Sequence, residues 1–118
     1  MILAVVDDLM FTSKIRTAAS QLGVSVGFAR SWEAAIAEMQ KAPPSMVILD
    51  LDNPRTAPLD IIARMKADPS LAQLPTVGFV SHVHTDVIDA ARRAGIGDVL
   101  ARSAFTQQIA DILTRGSR

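Results

Sequence analysis

Five short apolar runs punctuate the chain at regular intervals, and this alternation constrains the fold more than any other feature. The runs are Ile2–Val6, Val24–Phe28, Met46–Leu49, Thr76–Val80 and Val99–Ala101. Most are continuous rather than alternating apolar–polar, which is the pattern of strands buried on both faces. The segments between them carry helical spacing instead. Phe11, Ile15, Ala18 and Leu22 share one face, as do Trp32, Ala35, Ile36 and Met39. Leu59, Ile62 and Met65 follow, then Val83, Val87, Ala90, Ala91 and Ala94, then Phe105, Ile109, Ile112 and Leu113. Local chemistry agrees with these limits. Ser31 is an N-cap candidate, Gly23 and Gly95 stand where helices one and four should end, Pro43-Pro44 stops helix two, and Pro58 suits a first helical turn. Strands alternating with helices predict an α/β fold: a parallel sheet, doubly wound, with helices on both faces.

The 118 residues suffice for one domain and not for two, so residues 1–118 are expected to form a single unit. Apolar residues make up 49% of the chain, which supports a packed core. Twelve basic residues balance twelve acidic ones, so the broad positive field of a nucleic-acid binder is missing. No cysteine is present, which removes disulfides, thiol catalysis and thiolate-bound zinc and fits a cytoplasmic setting. Ile2–Val6 is too short for a signal peptide, and no run approaches the roughly 18 apolar residues of a membrane span.

In parallel sheets of this kind, ligands bind at the carboxyl ends of the strands, so the search for chemistry goes there. Strand one runs into Asp7-Asp8, and strand three into Asp50-Leu51-Asp52-Asn53-Pro54. If both strands are central, three or four carboxylates meet in one pocket. Two unit charges about 4 Å apart repel by roughly 4 kcal/mol at an effective dielectric near 20. A raised carboxylate pKa or a bound cation relieves this, and an all-oxygen set suits Mg²⁺. A carboxylate beside such a cation can act as a nucleophile toward a phosphoryl group. Taken singly, each acid has a plainer role as a solvated strand end or a cap. Asp8 before helix one is the obvious case.

Ile2-Leu3-Ala4-Val5-Val6-Asp7-Asp8 and Val47-Ile48-Leu49-Asp50-Leu51-Asp52-Asn53-Pro54 together resemble the response-regulator receiver family over nearly the whole chain, from Ile2 to about Leu113. The resemblance implies a flavodoxin-like sheet with strand order 2-1-3-4-5 and five helices. It implies Asp50 as phosphoryl acceptor, with Asp7, Asp8, Asp50 and the backbone carbonyl of Asp52 holding Mg²⁺. Ser81 matches the family's phosphoryl-contacting Ser or Thr, and Arg102 stands where the family has a lysine. The implied partners are a sensor histidine kinase or phosphotransfer protein, and a downstream protein on the face of helix four, strand five and helix five. Homodimerisation is left open, as is excision from a longer chain, and neither nucleic acid nor membrane is an expected direct partner.

Several positions depart from the family pattern. Ser103 replaces the proline after the lysine position, and Val99 replaces the aromatic that swings inward when the site fills. His82 replaces a small residue, and Thr56-Ala57-Pro58 lacks the usual glycine, which predicts a stiffer start to helix three. These departures keep a second reading alive, a pseudo-receiver that binds partners with little or no phosphorylation. Asp50-Leu51-Asp52 is also similar to the nucleophile motif of haloacid-dehalogenase-type phosphatases, but that motif belongs near the N-terminus and needs a downstream acidic pair that this chain lacks.

Overall fold

The structure is a computed structural model that describes residues 1–81 and 84–117. Five strands alternate with five helices: β1 (Ile2–Val5), α1 (Leu9–Leu22), β2 (Val26–Ala29), α2 (Trp32–Lys41), β3 (Met46–Asp50), α3 (Pro58–Ala67), β4 (Thr76–Val80), α4 (Thr85–Ala94), β5 (Asp98–Ala101) and α5 (Arg102–Gly116). A 3-10 turn, Pro54–Thr56, precedes α3. All strand pairings are parallel, and the order is β2-β1-β3-β4-β5. This is the doubly wound, flavodoxin-like architecture expected from the alternation and the resemblance. Strand order reverses between β1 and β3, so the crevice for chemistry opens where those two strands end.

Side-chain alternation along the strands divides the core into two layers. Ile2 and Ala4 of β1, Ile48 of β3 and Val77 and Phe79 of β4 pack on Phe11 and Ile15 of α1 and on Phe105, Ile109 and Ile112 of α5. Leu3, Val5, Val47, Leu49 and Val80 face the other way, onto Ala35, Met39, Ile61, Ile62, Met65 and Ala91 of α2, α3 and α4. Gly78 of β4 allows a close approach on that second face. A Cβ there would stand 2.6 Å from both Leu51 Cδ1 and Ile96 Cδ1.

The caps explain where helices begin and end. Ser31 Oγ accepts from Ala34 N–H at 3.2 Å, and Gly23 and Gly95 close their helices in the left-handed region. Strand two begins two residues later than its apolar run predicts. Val24 is drawn back into the end of α1, its N–H bonding Ala19 O at 2.9 Å, so pairing starts at Val26 opposite Ile2 and reaches Ala29. β1 stops at Val5 rather than Val6, β3 extends to Asp50, and β5 starts at Asp98 rather than Val99. In α1 it is Ala19 that is buried while Leu22 is exposed, and in α3 Ile61 takes the core position and Leu59 is exposed. Val83, assigned to the stripe of helix four, lies outside the described residues, as does His82. Among the described residues, no helix is long and apolar enough to cross a membrane.

Candidate functional site

β3 is the middle strand of five, so Asp50 at its end is surrounded on both sides by sheet. Its side chain is 2% exposed. It continues the face of Met46 and Ile48 and pairs across the ladder with Phe79. Asp50 Oδ1 accepts the Asp52 backbone N–H at 3.0 Å. Arg102, the first residue of α5, brings Nη2 to 3.3 Å from Oδ2 and 3.4 Å from Oδ1. Burial pushes the Asp50 carboxyl above the usual carboxylate range. The Asp52 N–H and Arg102 counter that in part, while the charges of Asp52 and Asp8 add to it.

Arg102 is fixed by more than charge. Its guanidinium carbon sits 4.7 Å from the centre of the Phe11 ring and 5.5 Å from that of Phe79. Those rings continue a stack, Phe11 on Phe79 at 4.7 Å and Phe79 on Phe105 at 4.5 Å. The same guanidinium also reaches Asp52, with Nε 3.0 Å from Oδ2. Asp52 Oδ2 also accepts the Ser81 backbone N–H at 2.8 Å, and Oδ1 lies 2.7 Å from His84 Nδ1. Burial alone would raise the Asp52 carboxyl, but the contacts with His84, the Ser81 N–H and Arg102 outweigh it and hold it below the usual range.

Asp7 and Asp8 meet Asp50, Asp52, Asn53, Pro54, Arg55 and Arg102 around one cavity of about 340 Å³. Asp7 is gripped on both oxygens, by Arg30 Nε at 3.1 Å and by Arg55 Nη1 at 3.4 Å. The Arg30 hydrogen bond leads the effects that hold its carboxyl below the ordinary value. Asp8 caps α1, its Oδ1 accepting Met10 N–H at 2.8 Å and Phe11 N–H at 3.3 Å. The plain role weighed for Asp8 is therefore one it performs, and the same residue also lines the cavity.

The donor chemistry fits a hard cation, since carboxylate oxygens from Asp7, Asp8 and Asp50 share one opening. In the arrangement seen, however, these side chains lean on their own partners. Among the described residues, no three His, Asp or Glu side chains are gathered as a metal-holding group. Arg30 and Arg55 pair with Asp7, and Arg102 pairs with Asp50 and Asp52.

Ser81 joins the site through its backbone N–H to Asp52. Helix α4 starts later, with His84 at the N-cap position and no side-chain cap bond. His84, Arg30 and Arg55 were not anticipated as site residues. Arg30 had a readable signal: with β2 ending at Ala29, the next residue stands at a strand end beside β1. Arg55 and His84 had none, because their contacts depend on turns that bring distant backbone together. The 3-10 turn that carries Arg55 is set by Asn53, whose Oδ1 accepts Arg55 N–H at 3.0 Å. It hands over to α3 through Ala57 at φ 47, ψ 58, the left-handed conformation that glycine usually supplies.

The sequence model of the response regulator receiver domain matches residues 2–114. No curated protein sequence matches the chain. Among solved structures, a response regulator from Hahella chejuensis shares 20% identity with a TM-score of 0.86, covering 98% of this chain and 92% of that one. The phosphorylated cyanobacterial phytochrome response regulator RcpA shares 22% identity at a TM-score of 0.81, covering 97% and 88%. A response regulator in its Mn(2+)-bound form shares 22% at 0.78, covering 94% and 89%. At these identities the structural likeness speaks to the fold.

Proposed function

Because the chain belongs to the response regulator receiver domain family of two-component signalling, we propose that it accepts a phosphoryl group on Asp50 and signals through protein contacts made by residues 1–118 as one unit. The observation that carries this reading is the placement of Arg102 Nη2 3.3 Å from the Oδ2 of a buried carboxylate that opens on an acidic cavity. In the transfer, an Asp50 oxygen bonds to phosphorus as the donor's bond to phosphorus breaks, and the donor leaves with that electron pair. A histidine kinase or a phosphotransfer protein is the donor, through a phosphohistidine. Asp50 must be ionised to attack, and Arg102 favours that form. Arg102 then faces the added oxygens with a planar fork in place of a lysine's compact ammonium. Asp7, Asp8, Asp50 and the Asp52 carbonyl are the residues that would hold Mg²⁺. When bound, Mg²⁺ offsets charge on the transferring group. The structural relative bound to Mn(2+) and the phosphorylated one are consistent with this chemistry. The output surface is the face of α4, β5 and α5, and the compartment is the cytoplasm.

The test is incubation with Mg²⁺ and acetyl phosphate, read by intact mass. Wild-type protein should gain one phosphoryl adduct, and Asp50→Asn none. A specific observation favours a second reading, the pseudo-receiver: Arg30 and Arg55 already pair with Asp7, and Arg102 with Asp50 and Asp52. If wild type gains nothing while Arg102→Lys does, that reading replaces the first.

A further inference from the structure

Among the described residues, the side chain that ties most segments together is Asp52 rather than Asp50. Its carboxylate meets groups 29, 32 and 50 residues away in sequence: Ser81 N–H, His84 Nδ1 and Arg102 Nε. A carboxylate accepts through two oxygens with about four lone-pair directions, so these three contacts nearly fill it. Two consequences follow from the geometry. Arg102 is a rigid planar fork, so holding its Nε edge on Asp52 aims its Nη2 edge at Asp50, where it is found. Helix α4 has no side-chain cap, so its first turn is anchored to the site through His84 and Ser81, both on Asp52. Val99, half-buried on β5, has no ring to move between two positions, so a signal needs another route to α4.

We propose, resting on the acceptor reading of Asp50, that Asp52 is a positioning residue that joins the Arg102 guanidinium and the first turn of α4 into one unit, so that an anionic group on Asp50 is felt at α4 through Asp52 and His84. Added oxygens at Asp50 compete with Asp52 for the same guanidinium. As Arg102 shifts toward them, Asp52 leans on the Ser81 N–H and on His84 alone, and the start of α4 moves with those two contacts. Nothing in this route needs a swinging aromatic.

The test uses the whole chain with Mg²⁺ and beryllium fluoride as the phosphoryl mimic, followed by fluorine and amide NMR. In wild type, the Arg102 Nε–H signal is resolved and slow to exchange. A bound fluorine signal appears, and the amides of Thr85–Ala94 shift on loading. In Asp52→Ala the Arg102 signal is lost, and at beryllium fluoride concentrations that restore the bound fluorine signal the α4 shifts are absent. Asp52→Asn retains an oxygen acceptor and recovers the Arg102 signal. His84→Ala keeps the Arg102 signal and loses the α4 shifts, which a general loss of folding would not produce. Full α4 shifts in Asp52→Ala or in His84→Ala overturn the proposal. An empty fluorine spectrum in wild type removes the acceptor reading and the proposal together, and is told apart by that absence.

Discussion

The guanidinium of Arg102 lies against the ring of Phe11, 4.7 Å from its centre, so the residue that faces Asp50 is seated on the aromatic stack of the α1–α5 layer. Phe11→Leu keeps that position apolar but removes both the ring pairing with Phe79 and the surface under Arg102. Stability should fall by about 1–2 kcal/mol in urea denaturation, and Arg102 should lose its fixed orientation. Phe105→Leu is the control. It also loses stacking on Phe79, yet it should leave the Arg102 side-chain NMR signal where it was.

Asp8 has a structural and a proposed ligand role on one side chain, and two substitutions separate them. Asp8→Ala should cost about 1 kcal/mol through loss of the α1 cap. Asn caps nearly as well as Asp, so Asp8→Asn should unfold close to wild type. Its Mg²⁺ titration, by calorimetry, should nevertheless weaken clearly. Equal Mg²⁺ binding in the two proteins would restrict Asp8 to the cap.

Ala57 adopts a conformation in which its Cβ crowds the backbone, at about 1–2 kcal/mol for an L residue. Ala57→Gly relieves this but adds freedom to the unfolded chain, leaving a net gain of about 0.5–1 kcal/mol. A higher urea midpoint at unchanged slope is the expected result. A lower midpoint would mean that Ala57 is not held at positive φ in solution.

Asp50 and Asp52, the two acids at the end of β3, should respond to pH in opposite senses. Asp50 titrates above its ordinary value of 3.8, chiefly through burial, so its ionised form opposes folding. That cost is absent below the ordinary value and grows as pH rises through the folded pKa, so Asp50→Asn should gain on wild type in thermal melts as pH increases. Asp52 is held below 3.8 despite burial, by His84, Ser81 and Arg102. Its contribution is complete above the ordinary value and is lost as pH falls through the depressed one. The deficit of Asp52→Asn should therefore shrink on acidification. Parallel pH curves for all three proteins would contradict both shifts.

Much of the fold was legible because strands buried on both faces, alternating with helices, leave the signal of a parallel sheet covered on both sides. Ile2–Val5, Met46–Asp50 and Thr76–Val80 are such strands. The edge strand β2 was less clear, since its residues are only half-buried apart from Ala29, and a helix cap claimed Val24. Asp7, Asp8 and Asp50 were visible as a group because they end neighbouring strands. The ion pairs that surround them were not. The Asp52 carboxylate contacts join groups 29, 32 and 50 residues away, and no residue spacing encodes that. Ala57 at positive φ was hidden for a similar reason, because the turn geometry persists although the residue that usually supplies it does not.

Among the described residues, α4 buries one side chain fully, Ala91, whereas α5 buries Phe105, Ile109, Ile112, Leu113 and Gly116. Apolar area removed from water sets most of the work needed to lift a helix from its sheet. The two helices flanking β5 should therefore be unequal in softness, with α5 opening only as the domain unfolds and α4 detaching at lower free energy. Faster amide exchange in α4 than in α5 is the expected result. A partner that grips α4 should then have less native packing to overcome than one that grips α5.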